Sequence, residues 1–194
     1  MLFTSEQVSA GHPDKLCDQI SDAIVTDCLQ HDRNSRVAVE CMIKGFDIIV
    51  ASEITSTHTP DFEALARHAL FFAGVRDSGL YYVTAHISKQ SEDIALGVDK
   101  KGAGDQGSVY GYATSETREM LPLPFALATK ALEDLERDRN NCLLPDAKSQ
   151  VTYDYGKRRI DTFLISTQHQ EDVDLEDVRQ IVSNVMLDTA RSYG

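Results

Sequence analysis

The chain has 194 residues, 42% of them hydrophobic and 26% charged, which is enough to bury a core in one domain or two small ones and excludes a disordered tail. Nineteen Lys and Arg against 31 Asp and Glu leave a formal charge of −12, which excludes nucleic acid and anionic membranes as default partners unless metal ions or a basic neighbour intervene. No apolar run approaches a spanning helix and no basic-then-apolar leader opens the sequence, so a cytoplasmic protein is expected, with Cys17, Cys28, Cys41 and Cys142 as reduced, mostly buried thiols.

Pro13 suits a first helical turn, and Leu16, Ile20, Ala23, Ile24 and Cys28 follow at helical spacing, so a helix is predicted over 13–31 with Asp18 and Asp22 on its solvated face. Residues 36–43 and 47–55 are β-branched runs around Lys44-Gly45-Phe46, a predicted hairpin. Val37, Val39, Cys41 and Ile43 share one face, and a register with an odd index sum adds Ile48, Val50 and Ile54 to it, making that face the core. Glu40 and Glu53 then fall on the opposite face beside Ala38, Met42, Ile49 and Ala51. Two carboxylates on so apolar a face are either rim charges or part of a site.

Thr59-Pro60-Asp61 opens a second helix, stopped by Gly74, and 80–88 reads as a strand. After a loop closing with Gly102-Ala-Gly-Asp-Gln-Gly107 the order repeats, with a helix over 123–137, a hairpin over 149–167 and a helix over 175–191. The expected class is α+β, built of repeated helix–hairpin–helix modules and divided at 1–101 and 102–194. The second module lacks the strand its twin has at 80–88. Its sheet edge, and a stripe of Leu175, Val178, Val182, Val185 and Met186, are therefore expected to need covering, in a chain either cut from a longer one or completed by another polypeptide.

Gly11-His12-Pro13-Asp14-Lys15 sets an imidazole and a carboxylate at a helix start, where exposed amides favour phosphate and Asp14 can hold a hard cation. The Gly-x-Gly-x-x-Gly run is not a dinucleotide fingerprint, because Val109-Tyr110-Gly111-Tyr112 after it is no helix opening. Pro145-Asp146-Ala147-Lys148-Ser149 by itself reads as a turn with a surface charge pair. Hydrolase, zincin and P-loop signatures are missing from the sequence.

Phe3-Thr-Ser-Glu6, Gly11-His-Pro-Asp-Lys15, Asp18-Gln-Ile-Ser-Asp-Ala23, Glu53-Ile-Thr55, Lys89-Gln-Ser91, Gly102-Ala-Gly-Asp-Gln-Gly107, Pro145-Asp-Ala-Lys-Ser-Gln-Val151 and Ser166-Thr-Gln-His169 stand in one order along the chain. Together they resemble the S-adenosylmethionine synthetase (methionine adenosyltransferase) family over about the first half of a member, its first α+β domain and most of the central one. The resemblance implies attack of the methionine sulfur on C5′ of ATP, release and hydrolysis of triphosphate, two Mg²⁺ ions and K⁺. It implies that His12 and Lys148 contact the triphosphate, that Asp14 is a Mg²⁺ ligand and Glu40 a K⁺ ligand, and that Asp146 lies near the ribose. Glu53, Gln90 and Asp105 would bind methionine, and Glu6 would line the cation and nucleotide region.

Ala51-Ser52 stands where the family has Gly-Gly, and Glu92 where it has proline. The 194 residues contain neither the family's Gly-Arg-Lys segment nor its Ser-Gly-Lys-Asp-x-x-Lys pattern, which supply most of the positive charge around the triphosphate. The family's active site lies between subunits, so a second, more basic chain carrying the missing half is expected in a hetero-oligomer. The alternative is an idle regulatory subunit of a full-length synthetase.

Overall fold

The fold is given by a computed structural model that describes residues 1–91, 93, 96–97, 102–103, 105–137 and 142–194. Its elements are β1 (Leu2–Val8), α1 (Pro13–His31), β2 (Arg36–Lys44), β3 (Asp47–Thr55), α2 (Phe62–Phe72), a 3-10 turn (Ser78–Leu80), β4 (Tyr82–Ser88), α3 (Leu123–Arg137), β5 (Leu143–Asp154), β6 (Arg159–His169) and α4 (Leu175–Ser192). They divide into two units, 13–110 and 1–12 with 111–194. None of the described helices is long and apolar enough to cross a membrane.

In the unit 13–110, β2 and β3 pair antiparallel with Val37 opposite Ile54, Cys41 opposite Val50 and Ile43 opposite Ile48, the predicted odd-sum register. After α2 the chain returns as β4, parallel to β3, giving the order β2-β3-β4. Ile48 and Val50 are fully buried on the inner face, and Leu16, Ile20, Ile24 and Cys28 form the buried stripe of α1. Asp61 caps α2 by accepting the Ala64 N–H at 3.0 Å. The helix ends where Gly74 takes φ +84° and the N–H groups of Gly74 and Val75 reach back to the carbonyls of Phe71 and Leu70. All four cysteines are free, Cys28 buried and the others half-buried. Burial, followed by the neighbouring Cys41, pushes the Cys17 thiol up to about 11.

In the other unit the sheet has the order β1-β5-β6, antiparallel throughout. This corrects the expectation of a bare two-stranded hairpin, because Leu2–Val8 leaves the sequence-local module to pair with the later part of β5, from Leu2 opposite Asp154 to Val8 opposite Lys148. The segment 145–149 is likewise strand, not turn. Pro145 falls in the irregular stretch between Leu143 and Ala147, where the ladder asks for no N–H. The stripe on α4 is also largely satisfied within the unit: Val178 and Val185 are buried with Leu132, Leu135, Leu143 and Ala147, and Val182 packs against them. Leu175 remains exposed, and among the described strands β1 and β6 are the two edges of this sheet.

Candidate functional site

In the unit formed by 1–12 and 111–194, β1 and β5 bring together residues far apart in sequence. Strand alternation turns Glu6, Lys148 and Gln150 to the same, open face of the sheet. Lys148 Nζ lies 2.8 Å from Glu6 Oε2, and the Gln150 amide donates to the other carboxylate oxygen. Hydrogen bonds from Lys148 and then Gln150 hold the Glu6 carboxyl below the usual carboxylate range.

His12 is delivered by a short segment laced to the start of β5. The Ser9 N–H donates to the Ala147 carbonyl at 2.9 Å, Ser9 Oγ donates to the Pro145 carbonyl at 2.7 Å, and the Ala147 N–H donates to Ser9 Oγ at 2.7 Å. Gly11 is there because nothing larger fits: a Cβ on it would lie 2.5 Å from Pro145 Cβ and 2.6 Å from the Pro145 carbonyl carbon and oxygen. This segment holds His12 near enough to Asp146 for its charge to be felt there. Burial raises the Asp146 carboxyl above its ordinary value, and His12 pulls it partly back.

In the unit 13–110, Glu40 and Glu53 are both exposed on the outer sheet face, Glu40 opposite Ala51 and Glu53 between Ala38 and Ser88. Gln90 lies just past β4 at the same end of the sheet as Glu53, and its Oε1 accepts a 2.8 Å hydrogen bond from Arg36 Nε. Asp105 lies in the later loop and accepts the N–H of Gln106. Asp14 is exposed in the first turn of α1. Glu40 lines a pocket of about 390 Å³ with Asp18, Gln19, Ser21 and Asp22.

The family profile for the "S-adenosylmethionine synthetase, N-terminal domain" matches residues 1–93, and that for the central domain matches 100–192. The chain belongs to the S-adenosylmethionine synthetase family. An S-adenosylmethionine synthase of Salinibacter ruber is 40% identical over 97% of this chain and 54% of its own length. One from Nocardia farcinica is 41% identical over 96% and 54%. A solved structure titled as an unusual S-adenosylmethionine synthetase from Campylobacter jejuni superposes with a TM-score of 0.85 at 32% identity, covering 96% of this chain and 53% of that one. The chain therefore spans about half the length of the relatives it matches.

The cations of this synthetase family can be tested against the donors present. Asp14 offers a carboxylate, and Glu40 shares its pocket with two further carboxylates, a hydroxyl and a side-chain amide, the oxygen donors that Mg²⁺ and K⁺ require. The same pocket also holds Lys15, which is paired with Asp18 at 3.0 Å, and the thiols of Cys17 and Cys41. Ser9, Gly11, Arg36 and Gln150 position the candidate residues and were not singled out from sequence.

Proposed function

We propose that this chain is a catalytic subunit of an S-adenosylmethionine synthetase, joining ATP to methionine at a site completed by a more basic polypeptide. The observation that carries this reading is the Lys148–Glu6 pair on an open sheet face, beside a His12 that Ser9 and Gly11 hold against β5. His12 and Lys148 bind the triphosphate, whose charge grows as the sulfur–carbon bond forms and the C5′–oxygen bond breaks. They therefore favour the transition state over the ground state. Glu6 is the exchangeable counter-charge, holding Lys148 extended until phosphate takes the ammonium. Asp146 orients the ribose, while Glu53, Gln90 and Asp105 receive methionine, with carboxylates for its ammonium group. Asp14 and Glu40 would hold Mg²⁺ and K⁺, which neutralise phosphate charge when bound.

One imidazole and one lysine are too little for a triphosphate on a protein of charge −12, so the missing clamp belongs to the partner. The purified chain, given ATP, methionine, Mg²⁺ and K⁺, should form essentially no S-adenosylmethionine, and a polypeptide carrying the missing half should restore turnover. Turnover on the order of 1 per second by the chain alone would sink the two-chain reading. If the restored activity is indifferent to His12→Ala, the chain is the idle regulatory subunit instead.

A further inference from the structure

A second cluster of ligating side chains lies in the unit 13–110, built from residues that play no part in the proposed reaction. Asp27 and His31 stand one helical turn apart on α1, and His58 comes from the segment between β3 and α2. One ligand atom from each of the three lies within 4.8 Å of the others. His58 Nε2 is 2.7 Å from Asp27 Oδ2, and His31 Nδ1 is 3.4 Å from Asp27 Oδ1. The two imidazole rings stack with centroids 4.0 Å apart and planes 16° from parallel, and His31 Nδ1 also lies 2.8 Å from the Asp27 backbone carbonyl oxygen.

We propose that Asp27, His31 and His58 form a binding site for a borderline divalent transition-metal ion, with Zn²⁺ as the best match. Two imidazoles and a carboxylate are the donor set of open zinc sites, with a fourth position left for water, whereas Mg²⁺ and Ca²⁺ prefer oxygen alone. Bonds of about 2.0–2.1 Å in a tetrahedron put neighbouring ligand atoms roughly 3.3 Å apart. The His31–Asp27 carboxylate separation meets this, the His31 ring turns out of the stack and gives up its Asp27 carbonyl contact to aim a lone pair at the ion, and the His58–Asp27 separation opens slightly as the ion displaces the proton held between them to solvent. His31, half-exposed, leaves the ion a way in, and the groove of about 470 Å³ lined by Asp27, Ala23, Leu65 and Phe72 offers another.

The site is pre-organised by a clasp at the end of α1. Asp32 Oδ2 accepts both the N–H and the hydroxyl of Thr57 at 2.9 and 3.0 Å. The Ser35 and Ser56 hydroxyls are 2.8 Å apart, and the His58 N–H donates to Ser56 Oγ at 3.0 Å. The backbone on both sides of the cluster is thus fixed before an ion arrives, which lowers the cost of binding it.

Calorimetric titration of the full 194-residue chain with ZnCl₂, in excess Mg²⁺ and reductant, should show one saturable site. Its affinity should fall about tenfold or more in His31→Ala and in His58→Ala. His31 is exposed enough that its variant keeps the fold, as circular dichroism would verify. Co²⁺ in place of Zn²⁺ should give visible d–d bands of a four- or five-coordinate nitrogen and oxygen site. Absence of saturable binding, equal affinity in wild type and His31→Ala, or thiolate-to-cobalt charge-transfer bands placing the ion on cysteines would each overturn the site. Histidine and aspartate would then form only an ion pair.

Discussion

Gly11 shows how one residue can hold a site in place by having no side chain. A methyl group there would meet Pro145 backbone, which belongs to a paired strand and cannot retreat as the tip of a flexible side chain could. Gly11→Ala should therefore cost about 1–3 kcal/mol, read from thermal or urea unfolding, and should shift His12. An unchanged unfolding midpoint would show that the Ser9–His12 segment has room the structure denies it. Asp32 makes a different prediction. Hydrogen bonds from the Thr57 N–H, then the Asn34 N–H, then the Thr57 hydroxyl hold its carboxyl below the ordinary 3.8. A depressed carboxyl contributes stability above its unfolded pKa and loses it as pH falls through the folded value. The stability gap between wild type and Asp32→Ala should be present near neutrality and close as pH drops below 3.8. A gap that stays constant well into acid would mean the charge is irrelevant to the clasp.

Among the elements, β1 changes what the rest of its sheet has to offer. One side of β5 is taken by β1, so among the described strands the open edges of this sheet are β1 and β6. In the twin module that position, beside the second hairpin strand, is filled by β4 in parallel. A completing strand from the partner should therefore add to 159–169. Hydrogen exchange on the chain with and without its partner should show new protection there and on the exposed start of α4 near Leu175, with 143–154 already slow before binding. Complex formation without added protection on β6 would rule out strand completion.

For the whole molecule the governing quantity is charge. At −12 the chain would attract the basic partner proposed above, so that assembly should be electrostatically steered. Association rates measured by stopped flow should fall steeply between low and physiological salt, over about one to two decades, while dissociation changes little. A rate indifferent to ionic strength would show that the partner is not the basic half inferred here.

Helix α1 and the β2–β3 register were legible because their information is local. Leu16, Ile20, Ile24 and Cys28 recur at the helical period, and a two-residue turn at Gly45-Phe46 leaves one pairing that buries Ile48 and Val50 together. The side of the sheet that carries Glu40 and Glu53 followed from the same alternation, as did the ordered motifs that mark the family. Tertiary structure alone decided the pairing of β1 with β5, the Lys148–Glu6 contact, the approach of Gly11 to Pro145 and the meeting of His58 with Asp27. Gln150 and Glu6 are 144 residues apart, and Thr4 and Thr152 are 148 apart. Over such distances periodicity says which face a residue takes but not which edge a strand joins. That choice is made by burial and ladder hydrogen bonding summed over the folded unit, in which a seven-residue strand at the start of the chain gains more on β5 than beside the helix that follows it.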